Sequence, residues 1–188
     1  MDFRTIIAGA VTSVLKVGQG LYTPAVTDKG RNTINSADYY VNDVKSWRIV
    51  RKATNEIRTA TTTMATDSAL TFATTSGDDI QFDGILYIST NSTANFKLDL
   101  HMTGGAPTTI SYSIHGVTGA GAPIDEIGTA ITTSFSSTQV GGTDQVLRIA
   151  GIIHAATTGT FQIRWAQNTS DASNTVVRRG SFLKYVKF

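Results

Sequence analysis

From Trp47 onward, apolar and polar residues alternate with the period of two that sends successive side chains to opposite faces of a strand. The segment DDIQFDGILYIST (78–90) is the clearest case, with Ile80, Phe82, Gly84, Leu86 and Ile88 on one face. Asp83-Gly84 has the composition of a hairpin turn. Both flanks keep one parity across the glycine, however, which predicts a continuous strand. NFKLDLHM (95–102) places Phe96, Leu98, Leu100 and Met102 inward and Lys97, Asp99 and His101 outward. TISYSIHGV (109–117), QVLRIAGIIHAA (145–156), TFQIRWAQ (160–167) and SFLKYVKF (181–188) read the same way, and AITTSFSS (130–137) is a weaker strand. WRIVRKA (47–53) puts Trp47, Ile49 and Arg51 on one side and Arg48, Val50 and Lys52 on the other. TGGAP (103–107) and Thr158-Gly159 are turns, NTSDASN (168–174) is a loop, and GVTGAGAPIDEIG (116–128) reads as a longer loop. About eight strands at this spacing, with no strand–helix alternation, predict an all-β antiparallel sandwich of jelly-roll type. Its expected core is Trp165, Phe161, Ile163, Phe82, Leu86, Phe96, Leu98, Ile149 and Ile153.

Residues 1–45 break this pattern. Ile6, Ile7, Val11, Val14, Leu15, Val17, Leu21 and Tyr22 are punctuated by Gly9, Gly18, Gly20, Pro24 and Gly30. A short helix over 5–17 is weakened by Gly9, Val11, Thr12 and Val14. The stretch reads as an extended arm (1–45) ahead of a sandwich domain (46–188). An arm whose apolar residues lack a folding pattern needs another surface to bury them.

Composition agrees with the strands. The chain holds 30 Thr and 15 Ser, and only two Glu, Glu56 and Glu126, across 188 residues. That usage suits pleated surfaces rather than helices. Apolar residues at 40% and a net charge of +2 argue against disorder. With no cysteine, structural disulfides, thiolate metal sites and cysteine nucleophiles are excluded. The first residues, MDFRTIIAGAVTSVLKVG, slightly resemble a signal peptide, but Asp2 precedes Arg4 and Thr12 and Ser13 interrupt the apolar run. Net charge is +4 over 1–58, −7 over 59–144 and +5 over 145–188. The basic residues alternate along strands, as a solvated strand face would have them, rather than gathering with aromatics as nucleic-acid binding requires.

No catalytic constellation stands out. His101, His115 and His154 have no His-x-His or His-x-x-x-His spacing and no nearby Glu. There is no Gly-x-Ser-x-Gly elbow and no phosphate-binding loop. Asp78-Asp79 and Asp125-Glu126 are neighbours that a strand would send to opposite faces, and both pairs read as turn residues. No metal or cofactor is expected. Trp165 reads as core, whereas Trp47 is balanced between core and surface.

The ending GTFQIRWAQNTSDASNTVVRRGSFLKYVKF carries Trp165, Ala166, Gln167, Asn168, Ser170, Asp171, Gly180, Ser181 and Leu183 in an order that resembles a β-sandwich module of tailed-bacteriophage virion proteins. Arg51-Lys52, the stretch TATTTMATDSALTF with Asp67, Leu70 and Phe72, and the segments QFDGILYIST and NFKLDL fit it too. The resemblance covers about 47–188; Val177-Arg178-Arg179 departs from it, and the arm has no counterpart. It implies a jelly-roll homotrimer of the tumour-necrosis-factor or complement-head type, without enzymatic activity. The expectation is a capsid decoration (cement) protein on the virion surface, with the major capsid protein as partner and neither nucleic acid nor membrane bound. Arg4, Ile6, Ile7, Val11, Leu15, Lys16, Leu21, Tyr22 and Arg31 would form the capsid-binding arm. The alternative is the receptor-binding tip of a tail fibre, spike or head fibre. The arm favours decoration, as does the lack of a collagen-like or coiled-coil stalk.

Overall fold

A computed structural model of the chain describes residues 47–118, 121–131, 133–137 and 144–188, and the backbone at 5–7, 10–12, 40–41 and 44–45. The chain divides into two compact units, Met1–Ser46 and Trp47–Phe188. In the first, β1 (Thr5–Ile7) pairs antiparallel with β2 (Ala10–Thr12), Ile6 lying opposite Val11. A second short pair joins β3 (Tyr40–Val41) to β4 (Val44–Lys45). Ile6, Ile7 and Val11 therefore lie on short strands. Arg4, Leu15, Lys16, Leu21, Tyr22 and Arg31 lie outside the described residues.

The second unit is built from strands alone among its described residues. They are β5 (Arg48–Arg51), β6 (Glu56–Arg58), β7 (Ala65–Thr74), β8 (Asp79–Ser89), β9 (Phe96–Met102), β10 (Thr109–Val117), β11 (Pro123–Gly128), β12 (Phe135–Ser137), β13 (Asp144–His154), β14 (Gly159–Gln167), β15 (Thr175–Val177) and β16 (Phe182–Lys187). All pairings are antiparallel. The larger sheet runs β11-β10-β13-β8. The far side of β8 is then shared by β16, beside Ile80–Ile85, and β15, beside Ile88 and Ser89. β5 and β6 pair outside these. The smaller sheet is β12-β9-β14-β7. From β7 on, the chain passes back and forth between the sheets, except that β10–β11 and β15–β16 are each consecutive strands of the larger one.

The two inner faces share one core, an arrangement consistent with a β-sandwich. Phe72 of β7 stacks on Tyr185 of β16 at 4.1 Å, and Phe161 of β14 meets Phe82 of β8 at 5.1 Å. All nine expected core residues are buried. β8 runs unbroken through Asp83-Gly84. The glycine serves close approach: a Cβ there would lie 2.4 Å from Leu183 Cδ2 and 2.6 Å from the Phe182 carbonyl, so any side chain would push β16 away.

Three expectations are corrected. Residues 116–128 are not a long loop, since β11 pairs with β10 as a hairpin whose turn is closed by Thr118 and Gly121 (φ +83°). Asp125 and Glu126 are accordingly strand residues of an edge, where charge discourages further pairing. Lys52 does not lie on a solvated face, for it is 1% exposed.

Candidate functional site

Two assemblies of charged side chains stand out. The first is buried. Lys52 follows β5, and its backbone is tied to the turn before β16: its N–H donates to the Ser181 carbonyl (2.8 Å) and its carbonyl accepts from Gly180 (3.0 Å). This fixes the side chain pointing between the sheets. There Nζ donates to both oxygens of Asp67, each at 2.8 Å, and to Glu56 Oε2, also at 2.8 Å. Asp67 is 0% exposed. Its Oδ1 accepts from the backbone N–H of Ala69 and Leu70 (both 3.0 Å), and its Oδ2 accepts from Trp165 Nε1 (3.1 Å). Arg58 caps the cluster, donating to Glu56 Oε1 at 2.6 Å and to the Trp165 carbonyl while its guanidinium lies 3.9 Å over the Trp165 ring. Burial alone would raise the Glu56 pKa. Hydrogen bonds from Lys52, from the Ser68 backbone and hydroxyl, and from Arg58 outweigh it and hold the carboxyl at about 2.

The second assembly lies on the outer face of the larger sheet. Asp83 accepts from Arg148 Nε (3.0 Å) and Nη2 (3.3 Å), and Lys184 Nζ stands 3.2 Å away. Lys184 also sits 5.1 Å from the centre of the Trp47 ring. Burial would raise the Asp83 pKa, but the bonds to Arg148 and Lys184 bring it below the ordinary carboxylate range. Two cross-strand pairs flank it: His154 Nδ1 to Asp79 Oδ1 at 2.7 Å, and His115 Nδ1 to Asp125 Oδ1 at 3.0 Å. A shallow groove of about 580 Å³ runs between Trp47, Arg148, Ile127 and Ile152.

Among the described residues, the large apolar side chains left exposed belong to this sheet or to the chain just beside its strands. Ile127 is 78% exposed, Ile49 64%, and Ile152, Ile57, Val146 and Tyr87 project from other strands of the same sheet; Trp47, Val117 and Phe188 lie at strand ends. Among the described residues no large apolar side chain is exposed on the smaller sheet. Its outer face instead carries Lys97, His101, Gln162 and the bidentate pair of Arg164 with Asp99 (2.9 and 2.6 Å). His101 has its pKa lowered, first by burial and then by Arg164 nearby.

The residues behind the virion-module resemblance hold the fold together. Buried Gln167 accepts from the Thr61 and Asp171 N–H groups and donates to the Ser173 carbonyl at 2.8 Å. Asn168 donates its N–H to the Ala94 carbonyl, and Ser181 Oγ donates to the Arg178 carbonyl while accepting from Tyr87. Trp165 is fully buried, whereas Trp47 is surface. Among the described residues no group of three or more His, Cys, Asp or Glu side chains is arranged to hold a metal. No protein-family model matches the chain, and no curated protein or solved structure matches it either.

Proposed function

We propose that the chain is a structural virion protein of a tailed bacteriophage, a capsid decoration protein whose sandwich assembles as a homotrimer and whose arm grips the major capsid shell. The observation that carries this reading is that, among the described residues, the exposed large apolar side chains lie on the outer face of one sheet. Exposed apolar surface on that scale marks an association site. The jelly-roll part of the proposal is supported by the strand order. Passage from sheet to sheet gives one layer of β5/β6, β15/β16, β8 and β13 and another of β7, β14, β9 and β12, with the β10–β11 hairpin added at the edge of β13. The motif residues near the C-terminus support a scaffold role, because their side chains are used in packing and in tying loops down.

Light scattering should report a trimer of the 20.0 kDa chain. Ile127→Asp with Ile152→Asp should reduce it to monomer, and Lys97→Glu on the other sheet should not. Deleting residues 2–30 should leave a folded sandwich that no longer co-sediments with capsids of the phage that encodes it. If the truncated chain decorates those capsids with undiminished affinity, the arm is not the anchor. The receptor-binding fibre-tip reading then takes precedence.

A further inference from the structure

The buried cluster has the parts of a self-forming covalent cross-link. A primary amine and a carboxyl group, 1% and 0% exposed, are held at 2.8 Å through both carboxyl oxygens, and a second carboxylate touches the amine. We propose that Lys52 and Asp67 join in an intramolecular isopeptide bond, with Glu56 positioning the amine. This goes beyond the virion reading and does not depend on it.

The chemistry balances within the chain. One proton transfer along the Nζ–Oδ2 contact turns the enclosed pair into the amine and the acid. The unprotonated amine is the nucleophile. Nζ adds to Asp67 Cγ. Charge developing on Oδ1 falls on the N–H groups of Ala69 and Leu70, two donors fixed by the strand and already in place. The second oxygen, Oδ2, faces Trp165 Nε1 and is the one that leaves. The Nζ–Cγ bond forms and the Cγ–Oδ2 bond breaks. The oxygen departs as water with two of the three protons of the original ammonium, and the neutral amide keeps the third. Nothing is oxidised or reduced. The first proton passes from Nζ to Oδ2 along the contact already made, the second follows as the Cγ–Oδ2 bond breaks, and Glu56 Oε2 holds the amine in place throughout. At 20% exposure it links an otherwise sealed pair to solvent. Arg58, bound to its other oxygen, keeps it aimed.

Partner spacing suits a link that forms after folding. Lys52 and Asp67 are 15 residues apart and belong to different sheets' margins, so only the closed sandwich brings them together. Water loss is therefore expected of folded protein and not of chain held in denaturant.

Mass spectrometry of the intact full-length chain decides the matter. The folded protein should be lighter than its sequence by one water, and proteolysis should yield a branched peptide joining Lys52 to Asp67. Lys52→Ala and Asp67→Ala should each restore the full mass. Asp67→Asn should lose one ammonia instead of one water, which separates this reaction from succinimide formation at Asp83-Gly84. Glu56→Ala, checked for fold by circular dichroism, should stay unlinked, and Glu56→Gln, which keeps an acceptor for Nζ, should restore the link. Folded wild-type protein that keeps its full sequence mass on prolonged incubation overturns the proposal. So does a water loss that maps anywhere other than Lys52 and Asp67.

Discussion

The cluster around Lys52 and the ladder around Asp83 use the same residue types in opposite surroundings. In each, a carboxylate is held by two cationic groups or by one cation and several donors. Lys52 and Asp67 are sealed between the sheets, whereas Arg148 is 60% exposed on a sheet face. Distance does not separate them, since contacts near 3 Å occur in both. What separates them is what each group would meet if its partner were lost. Water would replace Asp83 beside Arg148 at little cost. Nothing would replace Asp67 beside Lys52. Equal geometry thus does not mean equal weight in stability.

Four changes would break or sharpen that contrast. Asp67→Ala should be the most damaging, costing about 3–5 kcal/mol by chemical denaturation, because it strands a buried ammonium. Trp165→Phe keeps an aromatic ring under Arg58 but removes the indole donor to Asp67. It should cost about 1–3 kcal/mol in the same assay. Glu56 comes next, through pH. Its folded pKa of about 2 lies below its ordinary value of 4.5, so its share of stability is complete above about 4.5 and is lost as pH falls toward 2. Denaturation followed down that range should show the loss, and Glu56→Gln should flatten it. Asp83→Ala should have the smallest effect, about 0.2–1 kcal/mol, and molar salt should shrink it further. A large, salt-insensitive effect there would erase the distinction.

The strands with unbroken parity were readable from the sequence, and the sites of broken parity were not. β8, β9, β10, β13 and β14 keep period two and bury the side chains that parity selects. β7 does not: Asp67 and Leu70 are both buried although three positions apart, and its register against β14 shifts between Gln162 and Arg164. Asp67 Oδ1 accepts from Ala69 and Leu70 within that irregularity, so the residue that disrupts the pattern also satisfies the freed backbone. Lys52 shared parity with Val50, which packs against the core, but it also shared it with Arg48, and a lysine in such company reads as solvated. Its partners Glu56 and Asp67 sit on separate strands, and although Glu56 is only four residues on, nothing in the spacing joins Lys52 to Asp67. The β10–β11 hairpin was hidden by Gly-Ala-Gly-Ala, which looks like loop, and by the two carboxylates of an edge strand. The apolar outer face was not legible from the strands taken one at a time. Ile127 and Ile152 lie in different strands, and pairing through Ser113 and Ser111 of β10 brings both onto it.

The pairing of β5 with β16 has a consequence for how the protein is made. β5 begins the sandwich and β16 ends it, and each forms its register only with the other and, for β16, with β8. A chain emerging from the ribosome has its first sandwich strand early and that strand's neighbour last. Tyr185, which covers Phe72, and Leu183, which fills the space above Gly84, arrive in the same final segment. Until then β5 has nothing to pair with, and one flank of the core is open. Such a long-range closing contact makes folding slow and holds closure back until β16 itself has been made. A chain cut within β16 would stay open along that whole side, a target for proteolysis rather than assembly.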